Sequence, residues 1–330
     1  MKKNNFKHIV LIGAGKIGNR HLQGLNNIKF NVKITVIDIN INSLKIAKNL
    51  FLTYPKNIKI IEINFLKSLK KIDTSIDLAI IATNSFERLS VIYELIKYTK
   101  LKYLVIEKVA FPSVSEFKKS ISILKKNKIK TWVNCTRRID NLYILLKKKL
   151  VDEKKITIYC TANNLNIASN AIHLLDLLVF LSNSMISDLD LSFLKRKIYK
   201  SKRKNYIEFK GCLLAYTKRG DKLIMIDDNT QSQESFLTIN THNYKIIIYV
   251  NLNIAINSSR SNNWKISKIK FDTPFQSKLT NIFAKDIIYK GKCGLTEIKE
   301  SFLIHKIMLN QFVKFINKIS KKKINSCMIT

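Results

Sequence analysis

The sequence predicts an α/β protein: an N-terminal doubly wound parallel sheet of Rossmann type, followed by an α+β part with a large, mostly antiparallel open sheet. Three observations predict it. The apolar run 8–12 leads straight into Gly13-x-Gly15-x-x-Gly18, a strand feeding a glycine turn and a helix. Short apolar runs then alternate with helix-spaced segments to about residue 138, as parallel strands with crossover helices require. From about residue 141 the chain changes to many short strands parted by polar turns, which favours antiparallel pairing.

Each element of the opening unit has a separate task. Gly13, Ala14, Gly15, Lys16, Ile17 and Gly18 form the turn and the start of a helix that continues through Leu22 and Leu25. The first glycine permits the tight turn, the second lets the backbone approach a pyrophosphate, and the third lets helix and strand pack closely. The chain has 8 glycines in 330 residues, and these three fall within six positions, so an incidental loop is a poor explanation. A second apolar run, 32–37, ends on Asp38, twenty residues beyond Gly18. That carboxylate would accept hydrogen bonds from the adenosine ribose and repel a 2′-phosphate, so NAD is expected over NADP. Lys45 and Lys48 moderate the preference.

After Asp38 the pattern gives a helix at 41–52, a strand at 58–63, a short helix at 65–69 and a strand at 76–82 ending in Thr83-Asn84. A helix at 86–98, a strand at 103–106 ending at Glu107-Lys108, a helix from Pro112 to 124 and a strand at 130–133 complete the first part. The second part shows a helix at 142–150, a strand at 156–161 and an apolar helix at 167–181. Strand candidates follow at 206–209, 213–217, 223–226, 236–239, 244–249, 252–256 and 264–271, then helices at 275–289 and 295–319. Two domains are expected, 1–138 for the dinucleotide and 139–330 for substrate binding and oligomerisation. The broad antiparallel sheet offers a face for subunit pairing, so a homo-oligomer is expected.

Composition narrows the function. A 46% hydrophobic chain of this length supports ample cores. The formal charge of +36 taken alone suggests a polyanionic partner, but the lysines are scattered, and the clusters at 195–204 and 321–323 are short. A solvated basic surface explains them better than nucleic-acid binding, and would still attract an anionic substrate. Five cysteines without C-x-x-C spacing indicate neither a zinc ribbon nor a disulfide framework, and no metal site is expected. The N-terminal stretch MKKNNFKHIVLIGAG is too short in its apolar part for a signal peptide. Residues 171–181 fall short of a membrane span, so a cytoplasmic protein without membrane partners is expected.

Ligands of an open parallel sheet bind beyond the carboxyl ends of its strands, which selects Thr83, Asn84, Glu107, Lys108 and residues 134–138. A lysine held near a nicotinamidium would have its pKa lowered toward values useful for moving a proton. From spacing alone, Lys108 fits equally a surface residue paired with a neighbour. On the helix 167–181, Asn170, His173 and Asp176 recur at i, i+3 and i+6 as one polar stripe. Asp176 could orient the His173 imidazole; a satisfied core histidine fits the same pattern.

Taken together, the motifs resemble the glucose-fructose oxidoreductase, inositol dehydrogenase and MocA family (Gfo/Idh/MocA). They are GAGKIGNRH at 13–21, ATNSFERL at 82–89, VIEKVAF at 105–111, VNCTRRID at 133–140, SNAIHLLDLL at 169–178 and LTEIKESFLIHKIML at 295–309. The resemblance implies an N-terminal Rossmann domain with a C-terminal open α/β domain. It further implies an NAD(P)-dependent dehydrogenase or reductase acting on the CH–OH group of a sugar or nucleotide sugar, with surface-polysaccharide synthesis as an expected setting and Lys108 and His173 as the catalytic pair. The chain departs from the family pattern at Val109 (usually proline), Asn84 (usually proline), Arg88 (often histidine) and Ser169 (often aspartate). Arg137 and Arg138 could clamp a phosphate or carboxylate of the substrate, with Asn170 and Asp176 beside it, or form a solvated pair at a domain junction. A non-catalytic dinucleotide sensor of the same fold is the alternative.

Overall fold

The computed structural model describes residues 6–72, 75–228, 235–321 and 323–329. Of the segments singled out above, the first five residues of the N-terminal stretch and Lys322 lie outside these. The chain forms two compact units, Met1–Phe111 with Ser115–Thr136 and Pro274–Ile298, and Pro112–Val114 with Arg137–Thr273 and Lys299–Thr330.

The first unit alternates as expected. It runs β1 (Lys7–Ile12), α1 (Lys16–Leu25), β2 (Val32–Ile37), α2 (Ile41–Leu52), β3 (Ile60–Leu66), β4 (Ser75–Ile81), α3 (Arg88–Tyr98), β5 (Lys100–Ile106), α4 (Val114–Lys126) and β6 (Lys130–Val133). The six strands pair in parallel in the order β6-β5-β4-β1-β2-β3. Their centres, Ile9 to Leu11, Leu78 to Ile81 and Leu104 to Ile106, are fully buried, as a sheet covered on both faces demands. The short helix expected at 65–69 is replaced by the end of β3, because Phe65 and Leu66 stay in register with Val36 and Ile37. Only Leu69–Lys71 turns, as a 3₁₀ segment.

In the second unit come α5 (Asn141–Lys149), β7 (Thr157–Ala162), α6 (Ile167–Ser182), β8 (Ile186–Asp190), β9 (Tyr199–Lys200), β10 (Ile207–Glu208), β11 (Gly211–Thr217) and β12 (Lys222–Asp227). β13 (Phe236–Asn240), β14 (Tyr244–Tyr249), β15 (Ile254–Ser259) and β16 (Ser267–Lys270) follow. The eight-stranded sheet runs β16-β15-β14-β13-β7-β12-β11-β8, antiparallel throughout except for the β7–β12 pair. Two strand expectations shorten at turns. Leu252 lies in the β14–β15 turn, its amide donating to Tyr249, and Trp264 sits in a left-handed turn before β16. β8 carried no sequence signal. Along the six inner strands burial alternates: Ile158, Leu223, Leu237 and Ile248 are buried. The opposite face carries Leu214, Ile224, Tyr159, Thr238, Ile247 and Ile256 in one row across six strands.

The chain then returns to the first unit through α7 (Gln276–Lys290) and β17 (Thr296–Glu297), which pairs antiparallel with β6, before α8 (Ile298–Ser320) closes the second. This corrects the division at 138/139, which assigned everything after 138 to one domain. The reason is packing: α7 lies on α1, and a Cβ on Gly24 would stand 2.7 Å from the Thr280 Cβ. Among the described residues no helix is long and apolar enough to cross a membrane.

Candidate functional site

Between β1 and β4, where the strand order of the first sheet reverses, lies a cavity of about 670 Å³. Its lining includes Gly13, Gly15, Asp38, Thr83 and Asn84, all expected to hold a dinucleotide, and such reversals are where open parallel sheets bind ligands. The three glycines meet different constraints. Gly13 has φ +99°, and a Cβ there would lie 2.8 Å from the Ala82 carbonyl carbon and the Thr83 nitrogen. On Gly18 a Cβ would come within 1.9 Å of the Gly13 carbonyl oxygen. Around the same position on Gly15 nothing stands within 4 Å. Gly15 also caps α1 in an extended conformation without a side-chain bond, which leaves first-turn amides of that helix for an anion.

Asp38 stands half-buried in the wall of this cavity. Its Oδ2 accepts the Ala14 amide at 2.7 Å and its Oδ1 the Asn40 amide at 2.8 Å. A carboxylate offers about four acceptor positions, so each oxygen keeps one for a ribose hydroxyl. Ala14 is buried, Lys16 exposed and Ile17 half-buried at the start of α1. Lys67 and Ser68 share the lining; no sequence signal marked them, and they arrive because β3 runs beside β2 as far as Leu66.

At the end of β5 the two neighbours part. Glu107 is 5% exposed; its Oε1 lies 3.0 Å from His21 Nε2 and also accepts from the Asn134 amide. His21 Nδ1 in turn lies 3.0 Å from Thr280 Oγ1, and the Asn134 amide donates to Gln276 at 2.8 Å. Burial alone would raise the pKa of Glu107, but the bond and charge of His21, the Asn134 amide and the Arg88 guanidinium outweigh it and hold the carboxyl below its usual range. Glu107, expected among the coenzyme contacts, is therefore corrected to an internal anchor that ties β5 to α1 and α7. Lys108, the next residue beyond the end of β5, is half-buried and precedes a cis peptide to Val109.

In the second unit, His173 is half-buried on α6, a helix otherwise largely enclosed. Asn170 turns its amide onto the Leu165 carbonyl at 2.7 Å. Arg138 reaches Asp176 through Nε and Nη2 at 2.8 and 2.9 Å, and Glu300 through Nη1 and Nη2 at 3.0 Å each. Burial opposes its charge, yet the two carboxylates raise its pKa further. A guanidinium filled on two edges has no fork left for a substrate anion, so Arg138 and Asp176 leave the substrate set and become a buried ion cluster. Arg137 is half-buried beside Tyr143, whose pKa is pushed up by burial against the opposing charge and hydrogen bond of Arg137.

The profile of an oxidoreductase family with an NAD-binding Rossmann fold, Gfo/Idh/MocA, matches residues 7–135. Over those residues, which span the six parallel strands of the first unit, the chain is similar to that family. Solved structures of like fold include an oxidoreductase from Agrobacterium radiobacter in complex with NAD+, L-tartaric acid and magnesium, at 14% identity and TM-score 0.67 over 92% of this chain and 94% of that one. The UDP-N-acetylglucosamine 3-dehydrogenase GnnA of Acidithiobacillus ferrooxidans gives 12% and 0.66 over 92% and 96%. A super-repressor mutant of Gal80p from Saccharomyces cerevisiae gives 11% and 0.70 over 94% and 96%. At such identities the likeness is one of fold. A search of curated protein sequences finds no match.

Two of the departures from the Gfo/Idh/MocA pattern acquire a physical account. Arg88, 2% exposed, donates to the main-chain carbonyls of Thr83, Glu107, Val109 and Ala110, so one side chain straps the loop after β4 to the loop after β5. Ser169 lacks a carboxylate of its own, but Glu208 of β10 supplies one: it accepts the Ala168 amide at 3.0 Å and the Ser169 hydroxyl. This carboxylate caps the N-terminus of α6, where a negative charge is favoured.

Proposed function

We propose that this chain is a Gfo/Idh/MocA-type NAD-dependent dehydrogenase or reductase acting on a secondary alcohol or ketone of a sugar or nucleotide sugar. The observation that carries the reading is Gly15, bare on the side where a Cβ would stand, in a cavity whose wall also holds Asp38. First-turn amides of α1 face the pyrophosphate, Asp38 accepts the adenosine ribose hydroxyls and disfavours a 2′-phosphate, and Thr83 and Asn84 line the continuation of the cleft. Lys67 in the same lining works in the other direction and keeps the preference for NAD moderate. The bound coenzyme supplies the hydride donor or acceptor.

The chain's own share is orientation and proton transfer. His173 takes the hydroxyl proton in the oxidative direction, and Lys108 stabilises the forming alkoxide or accepts its proton. Arg137 and Asn170 are assigned to substrate orientation. His173→Ala is expected to lower turnover by about 10²–10⁴-fold while NAD affinity stays unchanged; unaltered turnover removes His173 from the chemistry. A dinucleotide-dependent regulator without turnover is the second reading, favoured by the fold shared with Gal80p. Tight NAD binding with no NADH formed across a broad sugar panel selects it over the first.

A further inference from the structure

We propose that the second unit carries a separate site for an amphipathic organic anion, an apolar body bearing a carboxylate or phosphate, between the turn after β8 and the C-terminal half of α8. Three cations line it: Arg196 from the basic cluster at 195–204, and Lys314 and Lys318 from α8. A cavity of about 500 Å³ lies between them, floored by Leu191, Leu194 and Phe315, within the usual range for small-molecule sites.

Its walls are fixed by the fold. Lys314, Phe315 and Lys318 recur at helical spacing and share one face of α8. The Phe315 ring is held edge-on against Phe209 at 5.2 Å. The opposite wall is pinned through its backbone: the Cys212 amide donates to Phe193 at 3.1 Å and the Lys195 amide to Lys210 at 2.9 Å. Leu191 and Leu194 are buried beneath, whereas the three cationic groups stand at the exposed rim.

The charge is one-sided. Among the described residues no acidic side chain lines the cavity and none of the three cations makes a salt bridge. The nearby acids are engaged elsewhere, Asp190 accepting the Ser192 amide at 2.8 Å and Asp228 pairing with Lys195 at 3.1 Å. Three uncompensated cations around an apolar floor select for charge and apolar body together. A plain inorganic anion would leave the floor wet, and a neutral apolar molecule would leave the rim repulsion in place. The site uses no residue assigned to the oxidoreductase reading and stands or falls apart from it.

The experiment titrates the full chain with 1-anilinonaphthalene-8-sulfonate and displaces it with decanoate, decyl phosphate, decanol and inorganic phosphate. The expected result is displacement by decanoate or decyl phosphate, whichever is favoured naming the head group, and weak displacement by decanol and inorganic phosphate. Arg196→Gln/Lys314→Gln/Lys318→Gln, three exposed positions whose exchange should leave the melting temperature unchanged, is expected to weaken decanoate binding by about tenfold. Decanol competing as well as decanoate, or the triple variant binding both anions like the native chain, overturns the proposal.

Discussion

Adding one methyl group at two neighbouring glycines separates the folding task of the phosphate loop from its binding task. At Gly13, alanine must adopt φ +99° with its Cβ 2.8 Å from two backbone atoms of the Ala82–Thr83 segment. The backbone conformation costs about 1–2 kcal/mol and the overpacking about 1–3 kcal/mol, so Gly13→Ala should lose about 2–5 kcal/mol, a fall in melting temperature of roughly 5–15 °C. At Gly15 the backbone is extended, φ −72° and ψ −168°, and the added Cβ meets nothing within 4 Å. Its smaller unfolded-state entropy favours the variant by about 0.4–1 kcal/mol. Alanine's weaker capping of α1 offsets this by roughly 0.5–1 kcal/mol. Gly15→Ala should therefore melt within about 2 °C of the native chain. Its methyl occupies the space through which a pyrophosphate would approach, and NAD affinity should drop by about tenfold or more, at least ~1.4 kcal/mol. Circular-dichroism melts without coenzyme and calorimetric NAD titrations read the two effects separately. A Gly15→Ala chain that binds NAD within twofold of native refutes the placement of the coenzyme, and one that melts as low as Gly13→Ala refutes the packing account.

Glu107→Gln keeps volume and an acceptor but removes the charge facing His21, and should cost about 1–3 kcal/mol at neutral pH. Because the folded pKa of Glu107 lies below its ordinary value of 4.5, its contribution is in place above about pH 4.5 and lost as pH falls through the folded pKa. Urea unfolding from pH 7 to 3 should show the gap between native and variant narrowing only at the acid end; a gap that widens there contradicts the assignment. Arg138→Met removes the guanidinium that pairs with Asp176, 1% exposed, and should destabilise by about 3–5 kcal/mol; a loss below about 1 kcal/mol in chemical denaturation would show that the cluster does not hold. Tyr159→Arg puts a charge in the middle of the apolar row of the eight-stranded sheet, so if that face pairs subunits the sedimenting mass should fall to that of a single chain. An oligomer unchanged in mass would place the pairing elsewhere.

The conformation of the glycine loop was legible because its information is local. Three glycines and Asp38 lie within one strand-helix-strand unit, and each constraint read from spacing has a geometric counterpart in the folded loop. The strand ends were legible for the same reason. The role of Arg138 was not: its carboxylate partners stand 38 and 162 residues away along the chain, so spacing offered only two adjacent arginines and suggested an anion clamp. Glu208 was invisible in the same way, reaching Ser169 across 39 residues. Glu107 lay between these cases. Its place at the end of a buried strand was plain from the sequence, but its partners Thr280 and Gln276, through His21 and Asn134, come from α7, which the division at 138 had placed in the other domain. Arg88 looked like a lost histidine; only the folded loops reveal four carbonyls waiting for one guanidinium.

The return of Pro274–Ile298 to the first unit also orders events during biosynthesis. When the polypeptide has been translated as far as Thr136, all six parallel strands of the first sheet have been made, yet Thr280, whose hydroxyl stands beside His21, and the strand that borders β6 have not. At ordinary elongation rates their arrival takes about 10–30 s more. Through that interval the nascent sheet carries an uncovered α1 and an open edge at β6.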